Sequence, residues 1–520
     1  MENLVLYWVK TATVLTLVLP ILYKLIVKLW WRPRSIESHF SKQGVRGPPY
    51  RFFIGNMSEI VQIMLKATSQ PMPTFSHNIL PRVFAFYHHW KKIYGATFLL
   101  WFGPTVRLTV SDPDLIREVF TSKSESYCKV KAYPLSKLIE GEGLLTLDGT
   151  KWAHRRKLIS PIFHMENLKM LTPIVAGIAT DMLNQWSSMS TSDEVEIEVS
   201  EWFKTLTENV ITRLVFGDSS YEEGKAIVQL QSRQMSLAGE LIQKLYIPGY
   251  RFFPTKINRT LWSLDKELRK QLLKLVDDRQ ASEPLSDDSN VKSYKDLLGM
   301  MIDAASQENP TVTISDIVEE CKTFFFAGKQ TTSNLLTWTT VLLAMHPNWQ
   351  ELARDEVLKV CGSRDAPTKD DMPKLRTLSM IINESLRLYS PVIATIRRSK
   401  EDVELGGYKI PRGIELLIPM LALHHDQTIW GADADEFNPG RYADGMTRAA
   451  KHPMAFIPFG LGPRNCIGQN LAVLQAKMAL ATILKRFSFR LAPRYQHAPT
   501  VLMLLHPQHG APIIFKRLSS

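Results

Sequence analysis

Residues 458–470 read PFGLGPRNCIGQN. One cysteine, Cys466, stands among glycines at 460, 462 and 468, with Arg464 two residues before it. Phe459, Gly462, Arg464, Cys466 and Gly468 together make the pattern F-x-x-G-x-R-x-C-x-G. Gly462 and Gly468 permit a tight turn and let another group come close to the backbone. A helix opening at Ile467-Gly468-Gln469-Asn470 would aim amide donors at the sulfur, and such donors favour a thiolate. An isolated cysteine is more often an inert buried thiol. That reading suffices for Cys128, Cys321 and Cys361, none of which is paired at C-x-x-C spacing.

The chain around this loop has 520 residues, 45% hydrophobic and 22% charged, a globular balance with ample material for a core. It has no repeat of solenoid period and no long disordered tract. A formal net charge of +12 favours acidic partners, an anionic membrane face, nucleic acid or an acidic protein, with a basic surface that has no specific partner as the alternative. No nucleic-acid motif of the usual kinds is present, so no nucleic-acid partner is expected. Four cysteines are too few for a disulfide scaffold, which points to a reducing compartment.

The first segment suggests a location. LVLYWVKTATVLTLVLPILY, residues 4–23, is almost wholly apolar, and Lys24, Lys28, Trp30, Trp31, Arg32 and Arg34 follow it. About 20 apolar residues cross a bilayer. Lysines can snorkel at the ends of such a span, tryptophans suit the interface, and arginines mark the cytosolic side. A cleaved signal peptide fits less well, because the basic residues come after the apolar run and no small-residue cleavage site follows. Residues 1–31 are therefore expected to be a membrane anchor, 32–49 a basic, proline-rich linker, and 50–520 the catalytic domain. Within that domain 98–110 and 403–418 read as short strands, and helical patterns dominate elsewhere. The polar stretch 282–296 reads as a mobile loop. Thr313 with Asp316 resembles a capping box opening a long helix through Met345, which His346-Pro347 ends. The polar block Lys329–Asn334 would be costly in lipid, so this helix is expected in a large core beside a cavity.

The spacing around Cys466 is the heme-binding signature of the cytochrome P450 family, which the chain resembles over about residues 30–520. The resemblance implies a mainly α fold with small β-sheets, preceded here by one N-terminal transmembrane helix. It implies heme b (iron-protoporphyrin IX) held by the Cys466 thiolate in a loop shaped by Phe459, Gly462 and Gly468, with Arg464 on a propionate. Trp152 and Arg156, one helical turn apart in W-x-x-x-R, can reach a propionate too. Spacing alone leaves Arg397 and Arg398 both open as a further partner; the family's aligned position, five residues before Asp402, selects Arg397. Glu384 and Arg387 share a helix face, and the family pattern joins them to Arg441 in one buried structural network. Ala327-Gly328-Lys329-Gln330-Thr331-Thr332 matches the oxygen-binding stretch. There Gly328 is expected to leave room above the iron, and the Thr331 hydroxyl to help deliver protons. Gln330 departs from the family's usual acid, and an amide cannot shuttle protons as a carboxylate does.

These features read as a monooxygenase that uses O2 and NADPH. The chain carries no flavin or NADPH domain, so electrons must come from outside, through NADPH-cytochrome P450 reductase. Arg155, Lys157 and Lys451 are candidate contacts for it. The expected location is the endoplasmic reticulum membrane, single-pass, with the catalytic domain in the cytosol and in contact with membrane lipid. Stretches 131–145, 234–250, 391–396 and 497–505 are mostly apolar, as a lipophilic substrate would require. WWRPRSIESHFSKQGVRGPPYRFFIGN, FFFAGKQTTSNLLTWTT and YQHAPTVLMLLHPQHGAP resemble the plant P450s that inactivate brassinosteroids. That resemblance implies C-26 oxidation of castasterone and brassinolide, and restrained growth. The alternatives are a P450 acting on another plant terpenoid or hormone, a P450-fold isomerase or dehydratase, and a heme sensor without turnover.

Overall fold

The computed structural model describes residues 2–73, 75–130, 134–189, 193–242, 253–281, 296–307 and 312–518. The expected mobile loop at 282–296 lies outside these residues except for Asp296, and so do parts of the stretches 131–145 and 234–250. The described chain is mainly helical with small sheets. It forms two compact units that do not follow the boundaries at 31 and 49. One comprises Met1–Gln70, Leu80–Cys128 and Ala394–Pro419; the other comprises Pro71–Ile79, Lys129–Ile393 and Met420–Ser520.

In the first unit, α1 spans Glu2–Ile26 and leaves Trp8, Leu17, Leu19 and Ile21 exposed. Among the described residues, no helix is long and apolar enough to cross a membrane. Arg32–Ser41, expected as linker, is a helix. Pro33 sits in its first turn, where a missing N–H leaves nothing unsatisfied. The stiff Arg46-Gly47-Pro48-Pro49 run is non-helical. A Cβ on Gly47 would lie 2.1 Å from the Leu99 carbonyl oxygen, so glycine is required there. Both β-like stretches form strands. Leu99–Phe102, Thr105–Thr109, Glu415–Ile418, Thr395–Ser399 and Tyr127–Lys129 make one sheet in that order. Its edge hairpin pairs Leu99 with Leu108. The pairing of Thr105–Thr109 with Glu415–Ile418 is parallel, so it joins segments about 300 residues apart, which no local pattern could announce.

The second unit is built from α2 (Gly149–Ile159), α3 (Met165–Ser188), α4 (Val199–Phe216), α5 (Tyr221–Ile242), α6 (Lys256–Ala281), α7 (Ile314–Met345), α8 (Arg376–Leu388) and α9 (Gln469–Arg486). A three-stranded sheet places Pro512–Arg517 between Glu194–Glu198 and Phe487–Leu491. The 32-residue α7 is the axis of this unit. Its capping box is as the sequence suggests: Thr313 Oγ1 accepts from the Asp316 N–H, and Asp316 accepts from the Thr313 N–H at 2.9 Å. Residues 317–325 and 332–345 are buried. Between them Phe326–Thr331 are half-buried, so open space runs beside the middle of a core helix.

Behind the C-terminal half of α7 runs a chain of rings, all buried but the half-buried His346. His346 Nε2 bonds His77 Nε2 at 3.1 Å, and His77 Nδ1 bonds Tyr389 Oη at 2.9 Å. Tyr389 Oη bonds His497 Nε2 at 3.1 Å, and His497 Nδ1 bonds Tyr495 Oη at 2.8 Å. Trp338 stacks on Tyr389 with 4.4 Å between centroids. Burial, with His346, His497, His425 and Arg387 nearby, pushes His77 down to about 3. Burial beside His425 and Arg387 pushes His424 down to about 3 as well. Both rings stay neutral when folded but take up a proton near pH 6.5 when unfolded. Their stabilisation is therefore complete above pH 6.5 and is lost as pH falls toward 3, by up to about 1.4 kcal/mol per pH unit for each ring. Urea midpoints measured at pH 7.5, 6 and 5 should fall steadily. Equal midpoints at pH 7.5 and 5 would mean that these imidazoles do not govern acid stability.

Candidate active site

The Cys466 loop is pinned at its neck, where the Cys466 N–H donates to the Phe459 carbonyl at 2.8 Å. Gly460 and Gly462 take positive φ, +74° and +71°, which lets the chain reverse without strain. Gly468 then caps α9. Of the four cysteines Cys466 alone is exposed, while Cys321 and Cys361 are buried. Surrounding protein nonetheless pushes its thiol up; the Gly468 N–H and the Arg156 guanidinium pull it back toward the anion.

Two consecutive arginines of α2 serve opposite sides. Arg156 Nη1 and Nη2 donate to the carbonyl and side-chain oxygens of Asn465, both at 2.9 Å, next to Cys466. Arg155 is buried and donates to Glu320 at 3.0 Å and Asp316 at 3.1 Å on α7. That corrects its expected place on a partner-binding surface; Lys157 and Lys451 are exposed. Arg464 lies 4.3 Å over the Trp152 ring, donates to the Leu147 carbonyl at 2.9 Å and pairs with Asp148. Phe163 links loop to helix. Its ring edge is 3.9 Å from where a Cβ of Gly468 would stand, and it stacks on Phe324 of α7 at 5.4 Å. The half-buried turn of α7 starts two residues later.

Within that turn Thr331 Oγ1 donates to the Ala327 carbonyl at 2.6 Å, and Gln330 donates to Asn334 Oδ1 at 3.1 Å. Gly328 has a different duty from the one its sequence position suggests. A Cβ there would lie 2.7 Å from Ile211 Cδ1, so the glycine lets α4 approach α7, and its missing side chain does not provide the open space. Gly328→Ala should destabilise the fold by about 1 kcal/mol, because overpacking of about 1–3 kcal/mol outweighs the better helix propensity. Ile211→Ala removes both Ile211 carbons that lie within 2.8 Å of that Cβ, so the double variant should lose less in thermal unfolding than the sum of the two single changes. A single mutant as stable as wild type would remove this reason for glycine.

Glu384, Arg387 and Arg441 are brought together. Arg387 grips Glu384 with two bonds of 2.8 Å, and Arg441 Nε reaches the same carboxylate at 3.0 Å. Glu384 and Arg387 are fully buried, and Arg387 also donates to the carbonyls of His424, Ala434 and Glu436. Arg397 belongs to the first unit. There it is buried, lies 4.7 Å over the Phe120 ring and donates to Thr395 Oγ1 at 3.0 Å. The acids and bases on the N-terminal half of α7 escaped sequence reasoning. Glu320 is buried, accepts from the Leu144 N–H at 2.9 Å, and is pushed up to about 7 by burial. Lys322, fully buried, donates to Asp265 at 2.6 Å. The only signal was a charged run inside an apolar helix.

The cytochrome P450 family matches residues 70–513. The chain is a cytochrome P450. It is 65% identical over 512 residues to Cytochrome P450 734A1 of Arabidopsis thaliana, covering 97% of each chain. It is 56% identical over 513 residues to Cytochrome P450 734A6 of Oryza sativa subsp. japonica, covering 96% of this chain and 94% of that one. With Cytochrome P450 CYP72A616 of Paris polyphylla it shares 43% over 498 residues, 94% and 95% of the two chains. As a P450 it is a monooxygenase that carries heme b, draws electrons from a redox partner, and acts with O2 on a lipophilic substrate. The residues of this P450 fit that cofactor. Cys466 is the one exposed thiol, it carries an amide donor, and its loop is tied through Phe163 to the helix with the half-buried turn.

Proposed function

We propose that this P450 hydroxylates brassinosteroids at the terminal C-26 carbon of the side chain. Castasterone and brassinolide are its substrates, and the result is lower hormone activity and restrained growth. The likeness to Cytochrome P450 734A1 over 97% of both chains carries this reading, together with the resemblance of the stretches Trp30–Asn56, Phe324–Thr340 and Tyr495–Pro512 to the brassinosteroid-inactivating branch.

In this reading Cys466 Sγ is the iron ligand, and the Gly468 N–H steadies its negative charge. When bound, heme b supplies the activation of dioxygen and the oxidation of an unactivated carbon. Phe459, Gly462 and Gly468 hold the loop in shape. Arg464, Arg156 and Trp152 would serve the propionates; a guanidinium has five N–H donors, so the two that Arg156 gives Asn465 leave capacity. Thr331 Oγ1 turns from the Ala327 carbonyl to hold a proton for the reacting oxygen, and Gln330, braced by Asn334, orders water along that turn. Glu384, Arg387 and Arg441 keep the loop's scaffold rigid. Residues 1–31 anchor the enzyme in the endoplasmic reticulum membrane with the body in the cytosol, where NADPH-cytochrome P450 reductase docks on exposed cations such as Lys157 and Lys451.

The test incubates full-length, heme-loaded protein with reductase, NADPH and brassinolide, and identifies products by mass and NMR. A C-26 alcohol formed only with NADPH is expected. Oxidation of terpenoids but not brassinosteroids would overturn the substrate. Turnover of a hydroperoxide without NADPH would favour an isomerase or dehydratase, and binding without product a sensor.

A further inference from the structure

Of the half-buried residues Phe326–Thr331, Lys329 alone is charged. A cation in such a place costs stability unless it is paired. Lys329 Nζ pairs with Glu208 of α4 and donates to Ser232 Oγ of α5 at 2.6 Å. Its backbone is held as well, because Thr207 Oγ1 donates to the Lys329 carbonyl at 2.8 Å. Neighbouring residues of α4 thus grip the two ends of one residue of α7. One turn along α4, Ile211 fills the space left by Gly328, so the contact is close and continuous. Ser232 Oγ in turn donates to the Val228 carbonyl, which fixes the hydroxyl that Lys329 meets.

We propose that Lys329 is a positioning residue for the oxidation: through Glu208, Thr207 and Ser232 it pins the α7 turn that carries Thr331 to α4 and α5. The Thr331 hydroxyl and its acceptor, the Ala327 carbonyl, both lie in that turn, so the backbone path of residues 327–331 sets where Thr331 Oγ1 can reach. The lysine does not touch the reacting atoms; its ammonium is committed to two other helices. Releasing it lets the turn relax, and electrons from NADPH then go to reduce O2 to peroxide or water without hydroxylation of substrate. This inference rests on the proton-holding role proposed for Thr331.

The test compares wild type, Lys329→Met, Lys329→Arg, Glu208→Gln and the charge exchange Glu208→Lys with Lys329→Glu. Two readouts are taken: product formed per NADPH consumed with brassinolide, and amide hydrogen exchange of a peptide covering Phe326–Thr331, with Arg376–Leu388 as control. Lys329→Met should lower the coupling ratio by about threefold or more with KM nearly unchanged, and should speed exchange in the first peptide only. Lys329→Arg and the charge exchange should restore both. Glu208→Gln, a milder change, replaces Lys329→Met if that variant does not fold. Unchanged coupling with faster exchange would make the contact merely structural and overturn the proposal, and so would lost coupling with unchanged exchange. Wild type that forms no product from brassinolide fails the substrate reading alone; exchange at Phe326–Thr331 then decides whether Lys329 pins the turn.

Discussion

Cys466→Ala will abolish the thiolate-type spectrum of the reduced, carbon monoxide-bound protein and all NADPH-dependent hydroxylation. No other cysteine can take its place. Cys321 is fully buried and its thiol is pushed far up by that burial. Cys361 is buried and also held up, and Cys128 directs its thiol to the Arg398 carbonyl at 3.5 Å in the first unit. Alanine keeps the backbone N–H that bonds the Phe459 carbonyl, so the loop should fold and far-ultraviolet circular dichroism should not change. The loss is then one of ligand chemistry and not of architecture. A Cys466→Ala protein that keeps the wild-type spectrum would place the iron on another residue, and the proposed oxidation would fall with it.

The second large effect lies away from the cofactor. Glu384→Ala would leave Arg387, fully buried, and Arg441, nearly so, without their shared carboxylate. Breaking a buried pair by removing one partner costs about 3–5 kcal/mol, a large share of the stability of any domain. Arg387 would keep its three backbone carbonyls but lose its counter-charge, and the Asn438 N–H would lose its acceptor at 3.0 Å. Little folded, heme-binding protein should accumulate. Replacing the Glu384–Arg387 pair together by apolar side chains should be less damaging than either single change, because no charge is stranded. Thermal midpoints of the single and double variants decide this. A Glu384→Ala protein as stable as wild type would show that the network does not support the loop.

Several elements could be read before any folding was known. Thr313 and Asp316 announced the start of α7, and His346-Pro347 its end, because capping and proline rules act within four residues. Gly462, Arg464, Cys466 and Gly468 announced the tight turn at Cys466 for the same reason: its reversal and its Gly468 amide donor come from one short stretch. The strands at 98–110 and 403–418 were visible in their β-rich composition, but their parallel partnership was not. The helix Arg32–Ser41 within the expected linker at 32–49 was not legible, because Pro33 marks a helix start only once the chain before it is placed.

The chain alone determined the family, and it singled out Cys466 as the candidate iron ligand and α7 as the candidate wall of the site, since each depends on residues adjacent in sequence. Folding decided what the charges and small residues do. Which arginine of the Arg155–Arg156 pair turns inward, why residue 328 is glycine, what neutralises Lys329, and that five rings form a hydrogen-bonded chain behind Trp338 all depend on partners up to hundreds of positions away. Burial and distance there are properties of packing, and the free energy of a buried charge or ring is set by the neighbours that packing supplies.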